Sequence, residues 1–139
     1  MTPEIADLLQ TSRTIAVVGL SAKRHRPSYG VAEYMRRQGY TIYPVNPQED
    51  EILGEKSYPD LDSVPGKIDI VDIFRRSEYV PEIIDASIRV GARLVWMQEG
   101  VVHEEAARRA GEAGLLVVMN RCILKEHRKL TAQRSGAYR

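Results

Sequence analysis

The chain has 139 residues, a net charge of +1 and one cysteine. That is enough for one domain burying about two-thirds of its unfolded surface and too little for two; near-neutral charge supplies no field for nucleic acid or an anionic membrane surface. One cysteine closes no internal disulfide, no apolar run reaches spanning length, and the N-terminus reads as neither leader nor anchor, so the expectation is a single cytoplasmic domain over 1–139 with its core at about 10–130.

Thr2-Pro3-Glu4 ahead of Ile5, Leu8 and Leu9 predicts a short helix, with Thr2 as cap and Pro3 at the first helical position. Thr14 to Val18 is an apolar, β-branched run that reads as a buried parallel strand, and Gly19 after it permits a tight turn and the close approach of a ligand. The following loop is small and basic, with Ser21, Lys23, Arg24, His25 and Arg26 leading into a helix from about Ser28 to Gln38 whose Val31, Tyr34 and Met35 share one face. Tyr40 to Val45 is a second strand, stopped by Asn46-Pro47. Residues 48–67 have no sustained period and several glycines and prolines, which predicts a long irregular connection. Ile68 to Ile73 is a third strand, followed by a helix opened at Ser77-Glu78 with Val80, Ile83, Ile84 and Ile88 on one face. Arg93 to Met97 is a fourth strand, the helix starting at Glu104-Glu105 carries an alanine face, and Leu115 to Met119 is a fifth strand. A short helix from Ile123 to about Leu130 and a frayed tail finish the chain.

Helices that end in Gly39, Gly91 and Gly114 directly before a strand give strand-helix alternation along nearly the whole chain. That alternation predicts an α/β fold: a Rossmann-like, doubly wound parallel sheet of five strands in the order 3-2-1-4-5, with its ligand crevice at the strands' carboxyl ends. Those ends carry Gly19 to Ser28, Val45-Asn46-Pro47, Phe74-Arg75-Arg76, Gln98-Glu99-Gly100 and Asn120-Arg121-Cys122. The first of them is an anion site in outline, because helix-start amides and lysine or arginine side chains converge there.

A dinucleotide fingerprint needs Gly-x-Gly-x-x-Gly and an acid near the end of the second strand. Gly19-x-Ser21-x-x-Arg24 keeps only the first glycine, and Asn46-Pro47 stands where the acid belongs, so NAD is disfavoured. Lys23, Arg24, Arg26, Arg75 and Arg76 instead suit a ligand with additional phosphate, and coenzyme A carries a diphosphate and a ribose 3′-phosphate. Plainer readings compete throughout. The basic loop could be solvated surface, Trp96 reads as core, and His25, His103 and His127 read as surface or capping residues. Cys122 near a thiol cofactor suggests a mixed disulfide, but a free cysteine is ordinarily a small buried hydrophobe.

Val18-Gly19-Leu20-Ser21, Tyr43-Pro44-Val45-Asn46-Pro47, Asp72-Ile73-Phe74-Arg75-Arg76-Ser77 and Trp96-Met97-Gln98-Glu99-Gly100 together resemble the bacterial CoA-binding domain proteins. That family is similar to the N-terminal nucleotide-binding domain of the succinyl-CoA synthetase α subunit and of NDP-forming acyl-CoA synthetases. The resemblance implies that Gly19, Leu20, Ser21, Lys23, Arg24 and Ser28 form the phosphate turn. By the same resemblance Val45, Asn46, Pro47, Phe74, Arg75 and Arg76 flank the adenosine, and Gln98, Glu99 and Gly100 line the pantetheine path. It implies coenzyme A or a short acyl-CoA as cofactor and a small-molecule nucleotide as partner; no metal-binding residue is assigned. The synthetases' catalytic histidine lies in a second domain for which this chain has no room, so no catalytic residue is assigned. Two other functions stay open: an NAD(P)-binding oxidoreductase or redox sensor, and a detached subunit of an NDP-forming acyl-CoA ligase.

Overall fold

The computed structural model describes residues 1–136, with side chains as far as Gln133; the expected frayed tail falls partly at 137–139, outside the described residues. Helix α1 (Pro3–Thr11) starts as its sequence dictates, with Pro3 in the first turn and the Thr2 hydroxyl accepting the Ile5 N–H at 3.3 Å. Strand β1 (Thr14–Val18) follows, then α2 (Pro27–Arg37) and β2 (Thr41–Val45). The stretch read as irregular holds a two-stranded hairpin, β3 (Glu51–Ile52) with β4 (Glu55–Lys56), and a single 3-10 turn at Leu61–Ser63. Strands that short carry no readable alternation. The chain continues through β5 (Ile70–Ile73), a 3-10 turn at Ser77–Tyr79, α3 (Val80–Arg89), β6 (Leu94–Met97), α4 (Glu104–Glu112) and β7 (Leu116–Val118). Helix α5 (Ile123–Gly136) runs about two turns past its expected end.

Five strands form a parallel sheet in the order β2-β1-β5-β6-β7, with helices on both faces, which is the Rossmann-like α/β fold. Counted along the main sheet alone the order is 2-1-3-4-5, not the expected 3-2-1-4-5. Both orders permit right-handed crossovers, and what separates them is the face over which residues 48–67 return. Leu61 packs in the layer of α3 and α4, opposite the layer of α2 and α5, so the chain recrosses β1 and lands on its far side. Asp69 fastens it there. Its carboxylate accepts the N–H groups of Arg13 at 2.9 Å and Thr14 at 3.2 Å, while its own N–H donates to the Thr14 hydroxyl at 2.8 Å.

The core divides into two layers by the alternation of strand side chains. Ile15, Val17, Ile70, Leu94 and Trp96 face α1, α2 and α5, while Ala16, Val18, Val71, Ile73, Val95 and Met97 face α3 and α4. Trp96 is fully enclosed, its indole N–H donating to the Arg121 carbonyl at 2.8 Å. Pro44 is tolerated because β2 is an edge strand. Among the described residues no helix is long and apolar enough to cross a membrane.

Candidate functional site

The strand order puts the sheet's switch point between β1 and β5, where successive connections leave on opposite faces and a crevice opens beyond the carboxyl ends. A cavity of about 630 Å³ lies there, facing α2 and the start of α5. Its wall begins at Gly19, whose φ is +87°. A Cβ at this position would press into the Phe74 carbonyl oxygen and stand 3.0 Å from Arg75 Cδ. The glycine is thus required by the neighbouring strand end, where the sequence suggested approach of a ligand.

Beyond Gly19 the chain is held by side chains of its own loop and of β2. Leu20 is completely buried, and its carbonyl accepts from Asn46 Nδ2 at 2.9 Å. The Ser21 N–H donates to Ser28 Oγ at 3.0 Å, and Ser21 Oγ accepts the Lys23 N–H at 3.1 Å. These bonds shape residues 21–26 into a rim at the start of α2. That helix has Arg26 at its cap position with no side-chain cap bond and Pro27 in its first turn, so its first amides carry the helix's positive end uncapped by a side chain.

Of the residues singled out in the sequence, the structure brings Gly19, Ser21, Lys23, Ser28, Phe74, Arg75, Arg76, Gln98, Glu99 and Gly100 to this one crevice. Arg24 is exposed outside its lining, and Leu20 turns inward to the core. Val45 and Pro47 line a smaller neighbouring cleft of about 310 Å³ with Arg75 common to both, so Arg75 is the partition between them. Its guanidinium stacks on the Tyr79 ring at 4.4 Å. Asn46 is a bracket between the turns: besides holding Leu20, its Oδ1 accepts the Gln48 N–H at 2.8 Å. Arg26, Pro27, Val31, Val101 and Cys122 also line the crevice. Arg26 was legible as one of the clustered cations, and Cys122 as a residue at the mouth. Val31 and Val101 carried no signal beyond apolarity.

At the far wall Gln98 is buried, its Oε1 accepting the Ile123 N–H at 3.1 Å and so capping α5. Gly100 takes φ +85° and donates its N–H to Asn120 Oδ1 at 2.8 Å, while Glu99 pairs with Lys125 at 3.2 Å in solvent. The histidines stand apart from the crevice. His25 is exposed, and His103 caps α4 by accepting the Ala106 N–H at 3.1 Å. His127 is not the surface or capping residue expected: it packs edge-on against Tyr34 and Tyr40, its Nδ1 is 2.9 Å from the Tyr34 hydroxyl, and burial lowers its pKa. Chemically the crevice offers anion-binding donors and cations at one end and amide and thiol groups at the other.

Known proteins resemble this chain in sequence and fold. The uncharacterized protein YneT of Bacillus subtilis (strain 168) is 44% identical over 124 residues, 89% of this chain and 92% of that one. A solved structure, a hypothetical protein from Pyrococcus horikoshii OT3, superposes with a TM-score of 0.90 at 39% identity, covering 94% of this chain and 93% of the other. Acetate--CoA ligase [ADP-forming] II of Archaeoglobus fulgidus is 30% identical over 93 residues, which are 66% of this chain and only 14% of that ligase. A family model described as CoA binding domain matches residues 13–128. That span takes in all five main-sheet strands and every loop of the crevice, and the chain belongs to the CoA binding domain family.

Proposed function

We propose that the crevice binds coenzyme A or a short acyl-CoA and that the chain alone performs no reaction on it. In this reading the phosphates lie against Gly19, Ser21, Lys23, Ser28 and the first amides of α2. The adenosine lies toward Arg75, Arg76 and the Val45-Asn46-Pro47 turn, and the pantetheine arm crosses to Gln98, Glu99 and Gly100. The observation that carries the reading is the meeting of a helix start without a side-chain cap with Lys23, Arg26, Arg75 and Arg76 on one cavity. Four cations exceed what a diphosphate alone requires and suit a further ribose phosphate. Asn46 uses its side chain on Leu20 and Gln48, so the place of a ribose-diol acid holds a structural amide, which weighs against an NAD(P) enzyme. None of the three histidines lines the crevice, which supports binding without turnover.

Calorimetric titration with coenzyme A, dephospho-coenzyme A and NAD tests it. Coenzyme A should bind tightest, and loss of the 3′-phosphate should weaken binding by about 1.5–3 kcal/mol. Equal affinity for all three would remove the reading. The similarity to a segment of an acetate--CoA ligase keeps one second reading, a detached ligase subunit. A stable complex with a chain carrying the remaining ligase domains, turning over only when combined, would favour it.

A further inference from the structure

Asp72 sits in the middle of β5, in register with Val17 of β1 and Trp96 of β6, a position where a parallel sheet ordinarily carries an aliphatic side chain. It is 1% exposed, and its Oδ1 is enclosed without a hydrogen-bond partner. Strand alternation puts Asp72 on the face of Ile70 and Phe74, and Gln98 on the face of Trp96. This is the side of the sheet covered by α2 and α5, and it is the side on which the crevice opens. Asp72 is therefore one side-chain repeat, about 7 Å, inward of Phe74 and diagonal to Gln98 across the β5–β6 pair. Val31 and Cys122 line the crevice and belong to the same packed cluster as Val17 and Trp96, the two residues in register with Asp72.

Two polar groups are left with capacity here. Gln98 engages α5 through Oε1, and among the described residues that is its one side-chain hydrogen bond, so the Nε2 donors remain available. Burial pushes the Asp72 carboxyl well above the usual carboxylate range, which favours its protonated form, with an O–H to donate. An unpartnered buried acid destabilises a fold, and a leucine of similar volume would not. A group kept at such a disadvantage calls for a partner that is bound in use.

We propose that the Asp72 carboxyl and the Gln98 amide together receive a carbonyl oxygen at the thin end of the ligand, the amide or thioester carbonyl of an acylated thiol arm. Asp72 is then the residue by which the site distinguishes a nucleotide bearing that arm from the bare nucleotide. The inference rests on the coenzyme A reading and adds to it a specificity-determining side chain that no phosphate contact supplies.

The test titrates acetyl-CoA and adenosine 3′,5′-diphosphate, which shares part of the nucleotide end and lacks the arm, into the parent, Asp72→Leu and Asp72→Asn. Asp72→Leu should melt at a higher temperature without ligand and bind acetyl-CoA about tenfold more weakly, with adenosine 3′,5′-diphosphate unchanged. Asp72→Asn keeps an N–H donor and should stay within about threefold of the parent for both ligands. Parental acetyl-CoA affinity in Asp72→Leu would overturn the proposal, as it would if a buried water is the acid's partner. An equal loss for both ligands would overturn it too, by showing a general effect on the crevice. A parent that binds neither ligand removes the coenzyme A reading itself, a result distinct from either of these.

Discussion

A methyl group at position 19 would meet the Phe74 carbonyl and would also hold a φ of +87° that L-residues avoid. The backbone alone should cost about 1–3 kcal/mol in Gly19→Ala, read as a lower melting temperature without any ligand. A variant as stable as the parent would contradict the close strand contact. The cations divide more finely than the sequence allowed. Lys23 lines the crevice and Arg24 does not, so Lys23→Ala should weaken coenzyme A about tenfold while Arg24→Ala changes it by less than about twofold. Equal losses in separate titrations would return both residues to one undifferentiated basic loop. Residue type and position after a strand were enough to nominate this set. Direction was not legible: in Leu20 the side chain turns into the core, and in Asn46 the amide serves a neighbouring turn.

The junctions between elements bear the crevice's shape. Asn46 links the end of β2 to the turn after β1 through Leu20, and Ser28 in the first turn of α2 holds the Ser21 amide. Asn46→Ala should lose two hydrogen bonds, about 1–2 kcal/mol, and loosen the phosphate rim, so thermal stability and ligand affinity should fall together. A fall in affinity alone would indicate direct ligand contact. The elements themselves were legible where the pattern was long. The five main strands and the helices between them stand within about three residues of their expected starts, because glycine after a helix and an apolar run before a turn are strong local signals. The 48–67 connection was not, since a hairpin of two-residue strands has no period and the layer joined by Leu61 depends on contacts far along the chain. The strand order depended on that single connection, and it is where the expectation failed.

At the scale of the molecule, buried titratable groups pull stability in opposite directions with pH. Asp72 has a folded pKa raised by burial above an unfolded value of about 3.9, so its contribution is full below that value and is lost as pH rises through the folded one. His127, lowered by burial from about 6.5, contributes above that value and loses its contribution as pH falls through the folded one. For Asp69, burial works upward, but hydrogen bonds from Arg13 and Thr14 outweigh it and leave the carboxyl low, so its contribution also disappears in acid. Melting temperature against pH should therefore decline on both sides, and Asp72→Asn should flatten the alkaline limb while leaving the acid limb in place. An unchanged alkaline slope would show Asp72 ionised in the fold. The same Asp69 fastens β1 to β5 only where those strands begin; among the described residues no side chain joins them where they end, at Gly19 and Phe74. The sheet is thus clamped at one end like a book bound along its spine. Amide exchange should be slowest near residues 14–16 and 70–71 and faster toward 19 and 74. A ligand seated in the crevice would then act as the clasp, slowing exchange at the open edge far more than at the spine.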